Sequence, residues 1–176
     1  MRQMTDKNRI AKLMATSPYR QLLEELDIPL FLAAYEAGEF ISAPWKQQAL
    51  FQIVCQGEIS IYYVRDDGSR YSLAQGREAY CLGETALFEE DDTTVFARAV
   101  TDVECLAFLI AGNEEKLLAN NHFLRLVCQN VVGKLSTAMM WDAVSSSLSE
   151  RVWNYMQFKC ENGILKGLEK TAFQLH

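Results

Sequence analysis

Glu84, in the run Gly83-Glu84-Thr85-Ala86-Leu87-Phe88, is the side chain of this sequence best placed for chemistry. A lone carboxylate can act as an acid, but acid–base hydrolysis needs a second group to act with it, and no partner carboxylate stands at a useful spacing. Glu84 therefore reads as a structural or ligand-contacting residue. The cluster Glu89-Glu90-Asp91-Asp92 lacks the glycine and the alternating oxygen ligands of a calcium loop, so it reads as a solvated turn. Only two histidines occur, His122 and His176, both outside the strand-like stretches. That leaves no base for a Ser-His-Asp triad and too few ligands for a histidine metal site. Five cysteines, Cys55, Cys81, Cys105, Cys128 and Cys160, form no C-x-x-C pair. Neither a disulfide framework nor a zinc site has that spacing, and they read as small core residues. No catalytic or metal-ligating set is expected, and the chain is not read as an enzyme.

The elements around Glu84 are short and β-rich. From residue 30 to about 110, brief apolar runs alternate with turn residues such as Glu36-Ala37-Gly38 and Asp66-Asp67-Gly68-Ser69. Strands are predicted at 31–35, 39–42, 49–54, 58–65, 70–74, 79–82, 94–100 and 104–109. Eight short strands at this spacing argue for an antiparallel roll or sandwich. Before them, Ser17-Pro18 predicts a helix start, with Leu22, Leu23 and Leu26 at helical spacing and Asp27-Ile28-Pro29 as its end.

After residue 110 the period becomes helical. A short helix is predicted at 113–119 and a long one at 122–144. Along the long helix Leu124, Cys128, Val131, Leu135 and Ala138 recur in alternating steps of four and three, the seam of a helix packed along a partner helix. The competing reading packs this stripe on the chain's own roll. Ser145-Ser146-Ser147 breaks the helix, and Ser147 with Glu150 makes a capping box for the next. That helix ends at Asn162-Gly163, Ile164-Leu165 reads as extended, and a last helix is predicted over 168–175.

Composition narrows the class. The chain has 176 residues, 49% hydrophobic and 23% charged, which is globular composition. A net charge of −6 makes it a poor nucleic-acid binder on electrostatics alone. No apolar stretch approaches a membrane span, and residues 1–12 carry no secretory signal, so a cytoplasmic protein without membrane contact is expected.

The run beginning at Gly83, followed by Thr93-Thr94-Val95-Phe96-Ala97-Arg98-Ala99, resembles the phosphate-binding cassette of the CRP/FNR family of bacterial transcription regulators. Ala37-Gly38-Glu39-Phe40-Ile41 and Gly57-Glu58-Ile59-Ser60-Ile61-Tyr62 resemble the family's roll glycines, at the family's spacing. Between them Pro44-Trp45-Lys46 replaces the usual Glu-Gly-Asp. The resemblance covers nearly the whole chain. It implies a mixed α+β fold: a jelly-roll-like antiparallel β-roll, a long dimerisation helix and the start of a winged helix-turn-helix.

Residue by residue, the resemblance implies a degenerate ligand site at Gly83, Glu84, Thr85, Thr93, Thr94, Thr137 and Ala138. Glu84 would accept a hydrogen bond from a ribose hydroxyl, and the amides of the short helix after it would face phosphate. The family's phosphate-neutralising arginine is replaced by Thr93, beside Asp91-Asp92. A charge-assisted pair is worth roughly 1.5–3 kcal/mol, so cyclic AMP is expected to lose about tenfold or more in affinity. Ala138-Met139 stands where the family has its purine-contacting Thr-Ser, with Thr137 adjacent. No iron–sulfur cluster is expected, since no cysteine precedes Cys55.

The expected organisation is a helical segment at 1–29, an effector-sensing roll at 30–121, a dimerisation helix at 122–146 and the start of a truncated DNA-binding domain at 147–176. The function this implies is a homodimeric DNA-binding transcription regulator whose effector is unknown, with RNA polymerase as a further partner. The alternative is a stand-alone cyclic-nucleotide-binding-like module that docks proteins and never touches DNA.

Overall fold

The structure, a computed structural model, describes residues 1–43, 46, 49–64, 68, 70–88, 95–143, 149, 153, 156, 160–161 and 164–165; for 71, 72, 137–143, 160, 161, 164 and 165 it describes the backbone alone. In chain order it holds β1 (Arg2–Met4), α1 (Lys7–Thr16), α2 (Arg20–Leu26), β2 (Phe31–Tyr35), β3 (Phe40–Ser42), β4 (Leu50–Gln56), β5 (Ile59–Val64) and β6 (Arg70–Gly76). Then come β7 (Cys81–Leu82), a single 3-10 turn (Thr85–Leu87), β8 (Val95–Ala99), β9 (Val103–Leu109), α3 (Glu114–Ala119) and α4 (Asn121–Ala143). Beyond α4, β10 (Cys160–Glu161) pairs antiparallel with β11 (Ile164–Leu165). All eight strands predicted between residues 31 and 109 are present, with ends within two residues of those expected.

Two antiparallel sheets make the roll, one in the order β1-β2-β9-β4-β7 and the other β3-β8-β5-β6. Both faces of the five-stranded sheet are covered, which explains the near-continuous apolar runs of β4 and β9. Toward the facing sheet, Ala33, Val54, Cys105 and Ala107 meet Ile59, Ile61, Ala97 and Ala99. On the opposite face, Phe51, Ile53, Leu106 and Phe108 meet Leu23, Leu26, Phe123 and Val127 of the helices. Gln52 is the polar residue inside the roll, and it accepts a hydrogen bond from the Tyr35 hydroxyl at 2.7 Å. Phe51 stacks on Phe108 at 5.2 Å and meets Phe123 edge-on at 5.1 Å, so three aromatic rings pin the start of α4 to the sheet.

Two N-terminal expectations are corrected. Ser17 ends α1: its amide donates to the Leu13 and Met14 carbonyls. Its hydroxyl oxygen accepts from the Tyr19 amide, and α2 opens only at Arg20. The Ser17 oxygen thus caps a turn, and Pro18 and Tyr19 stand between the two helices instead of opening α2. The N-terminal segment is also not wholly helical, because Arg2–Met4 adds an edge strand to β2.

The cysteines divide by position. Cys81 and Cys105 are buried and Cys55 half-buried, as expected of core residues, but Cys128 is exposed on α4. Burial pushes the Cys81 thiol up to about 12. The serine run at 145–147, the Ser147–Glu150 capping box and the last predicted helix lie outside the described residues, as does the Asp66-Asp67 part of its turn.

Candidate functional site

β7 delivers Glu84. Cys81 and Leu82 pair with Ile53 and Gln52 at the edge of the five-stranded sheet, and the chain turns sharply at Gly83. Gly83 has φ +97°, and a Cβ there would lie 1.9 Å from the Leu50 carbonyl oxygen. Only glycine meets both demands, so this turn swings the next residue under α4 instead of out to water. Glu84 is consequently 4% exposed.

A buried carboxylate needs a partner. Here it comes from α4: the Lys134 ammonium contacts Glu84 Oε1. The same ammonium donates to the Cys81 carbonyl at 2.8 Å and lies 4.8 Å from the centre of the Tyr80 ring. The other carboxylate oxygen, Glu84 Oε2, and the Tyr80 hydroxyl are buried with no hydrogen-bond partner among the described residues. Burial, and then the charge of Glu84, push the Tyr80 hydroxyl above its ordinary range.

The 3-10 turn offers less to an anion than the sequence implied. The amides of Ala86, Leu87 and Phe88 donate to the carbonyls of Gly83, Glu84 and Thr85. A single 3-10 turn carries a shorter hydrogen-bond ladder, and so a smaller dipole, than a helix of several turns. Thr85 itself is exposed. Thr93 and Thr94 lie outside the described residues, as do the side chains of Thr137 and Ala138.

Arg98 does not replace the missing cation. In β8, Ala97 and Ala99 point into the roll, so alternation places Arg98 on the outer face. There its Nε donates to the Gly38 carbonyl at 2.7 Å and its guanidinium lies over the Phe40 ring. Of the described charges near the turn, Lys134 is thus the cation that meets Glu84, through Oε1, and Arg98 faces away from the roll interior.

α4 presents two stripes. Phe123, Leu126 and Val127 are buried on the roll, and Asn130 and Lys134 continue that stripe half-buried. The predicted seam lies roughly 100° around the helix. Leu124 is half-buried at its start, Cys128 is exposed, and Val131 and Leu135 are 43% and 56% exposed. The stripe that packs on the chain's own roll is thus a different one from the seam.

Sequence reasoning missed Lys134. The available signal was its place seven residues after Val127 and eleven after Phe123, on the inward stripe. A lysine on a helix's buried side calls for a buried acid, and Glu84 was the candidate. His122, the histidine of α4, reaches outward to Glu25, with Nδ1 and Oε2 2.7 Å apart. Among the described residues no group of three or more His, Cys, Asp or Glu could hold a metal ion. Nor is any described helix long and apolar enough to cross a membrane.

Residues 32–115 match the family model of the cyclic nucleotide-binding domain. Among solved structures, the c-di-GMP-responsive global regulator CLP of Xanthomonas campestris is similar, with a TM-score of 0.66 and 17% identity over 90% of this chain and 75% of that one. FixK2 of Bradyrhizobium japonicum gives 0.62 and 14% over 83% and 76%. A transcriptional regulator of the CRP/FNR family from Eubacterium rectale gives 0.64 and 13% over 79% and 65%. None of the curated proteins matches.

Proposed function

We propose, from the premise that residues 32–115 are a cyclic nucleotide-binding domain built as in the CRP/FNR regulators, that this chain is the sensing and dimerisation part of a transcription regulator. Two copies pair in parallel along α4. The roll and α4 form the regulatory body, with residues 30–121 as sensor and 122–146 as dimer helix. A winged helix-turn-helix, begun at 147–176, reads DNA in the cytoplasm, with RNA polymerase as its further partner. The chain acts as no enzyme.

The observation that carries this reading is the free apolar stripe of α4. Cys128, Val131 and Leu135 are exposed while the neighbouring stripe is already used on the roll. Apolar residues repeating at heptad-like steps on an otherwise occupied helix favour a second, identical helix as their cover. Cys128 supplies the test. In a parallel pair in register, each Cys128 faces its counterpart across the seam. Mild copper-catalysed oxidation is expected to link two chains through Cys128, and Cys128→Ser to abolish the link. A wild-type chain that stays monomeric at high concentration and forms no such link would defeat the reading.

The ligand side of the reading differs from that of a cyclic AMP receptor. CLP shows by its name that this fold can answer to c-di-GMP. In this chain the missing cation at Thr93 weighs against cyclic AMP. Calorimetry is expected to find no cyclic AMP binding tighter than micromolar, and a sub-micromolar dissociation constant would overturn the assignment of Thr93, Thr94, Thr137 and Ala138 as a degenerate site.

The net charge of −6 supports a second reading, in which the roll docks proteins and never meets DNA. Operator binding by a chain carrying a basic segment after residue 176 separates the two. Specific, salt-sensitive binding supports the regulator, and its absence supports the docking module.

A further inference from the structure

Glu84 Oε2 and the Tyr80 hydroxyl are buried without a hydrogen-bond partner among the described residues. Both belong to one cluster: the Lys134 ammonium meets the other Glu84 oxygen and lies 4.8 Å from the centre of the Tyr80 ring. A buried polar group left unpaired costs stability, and folded chains pair nearly all of theirs. The two groups differ in kind. An ionised carboxylate only accepts. The Tyr80 hydroxyl, which burial and then the charge of Glu84 keep protonated, has an O–H to donate. A molecule that pairs both brings one donor and one acceptor to the same place.

Charge narrows the class. Lys134 is the described cation at the cassette, and Glu84 neutralises it. Arg98 is engaged on the outer face, and Thr93 stands where the family's arginine would, beside Asp91-Asp92. A phosphate buried here brings a charge with no cation of its own, which is costly. An uncharged molecule avoids that cost. A 3′,5′-cyclic nucleotide fails on a second count: its 3′ oxygen is esterified, so its ribose keeps one free hydroxyl. A ribonucleoside keeps two side by side, one to donate to Glu84 Oε2 and one to accept from Tyr80. We propose that this cassette takes an uncharged ribonucleoside, held by its vicinal diol between Glu84 Oε2 and the Tyr80 hydroxyl. Tyr80 then selects the diol over the cyclic diester. The fold admits such a molecule in another protein. The regulatory subunit of a cAMP-independent protein kinase A from Trypanosoma cruzi, similar with a TM-score of 0.53 and 15% identity over 73% of this chain and 50% of that one, is bound to guanosine. The inference deepens the reading of the roll as a sensor and rests on it.

Calorimetry on the whole wild-type chain tests this with guanosine and adenosine, their 2′-deoxy and 3′-deoxy forms, and their 3′,5′-cyclic monophosphates. At least one of the two nucleosides is expected to bind with a Kd below about 1 mM. Its deoxy and cyclic forms are expected to bind at least about tenfold more weakly, the effect of losing one hydrogen bond. No binding of either nucleoside in that range, deoxy forms that bind equally well, or a cyclic form that binds more tightly would each overturn the proposal.

Tyr80→Phe separates a ligand contact from a structural role, because it removes the hydroxyl and keeps the ring beside Lys134. An unpaired hydroxyl contributes nothing to the free chain, so the variant is expected to melt no lower than wild type. Its affinity for the nucleoside is expected to fall about tenfold. A folded variant that melts lower when free, or that binds as tightly as wild type, overturns the proposal. Where the variant does not fold, the wild-type ligand series decides. Sedimentation of the same samples keeps this inference apart from the dimer. A monomer that binds nucleoside defeats the dimer and leaves the site. A dimer that binds none defeats the site alone.

Discussion

Lys134→Met is expected to lower the stability of this chain by about 3 kcal/mol, the low end of the cost of leaving one member of a buried pair alone. Glu84 is 4% exposed and cannot turn to water when its partner goes. The same change removes the donor to the Cys81 carbonyl and the cation over Tyr80. The reverse deletion differs. With Glu84→Gln, the ammonium of Lys134, whose side chain is 27% exposed, can still find solvent, and the amide replaces the charge with a neutral acceptor. That variant is expected to lose only about 1 kcal/mol, the ordinary net worth of a hydrogen bond. The double variant should recover part of the Lys134→Met loss, because no unpaired charge then remains buried. Urea unfolding at fixed protein concentration measures all three, with unchanged m-values as the check that the native state is the same. Equal losses for the two single variants would show that Glu84 is better solvated than its burial implies.

Leu135→Glu is expected to weaken self-association by about a thousandfold while leaving the folded single chain intact. Burying a leucine is worth roughly 1.5–3 kcal/mol, and a twofold seam loses two of them. At 1.4 kcal/mol per factor of ten, that alone approaches the stated effect, and two like charges brought together add to it. The fold itself should not suffer, because Leu135 is 56% exposed and contributes little to the chain's own core. Sedimentation velocity reads the association, and circular dichroism of the dilute monomer reads the fold. Ser136→Glu, one residue on and turned roughly 100° away from the seam, should leave the pair together. Loss of association in both variants would place the interface elsewhere on α4.

Much of this molecule was legible in the sequence, because the physics behind it is local. Apolar alternation and turn residues are properties of a few neighbouring positions, and they located the eight strands between 31 and 109. The same holds for α4, whose 3.6-residue period separates its stripes whether or not anything covers them. The absence of a cation at Thr93 needed no coordinates, since residue identity alone removes the charge. Other features were decided by tertiary structure. Arg2–Met4 has too little length to declare itself a strand, and it becomes one by pairing with β2. Ser17 looked like a helix start, but its oxygen caps a turn and α2 opens only at Arg20. The outward course of Arg98 follows from a register that turns Ala97 and Ala99 into the roll. The meeting of Lys134 with Glu84 is the most consequential of these. Their separation in the chain hides the pair, and only the sharp turn at Gly83 together with the seating of Phe123 on the sheet brings an ammonium on α4 to a carboxylate buried beneath it.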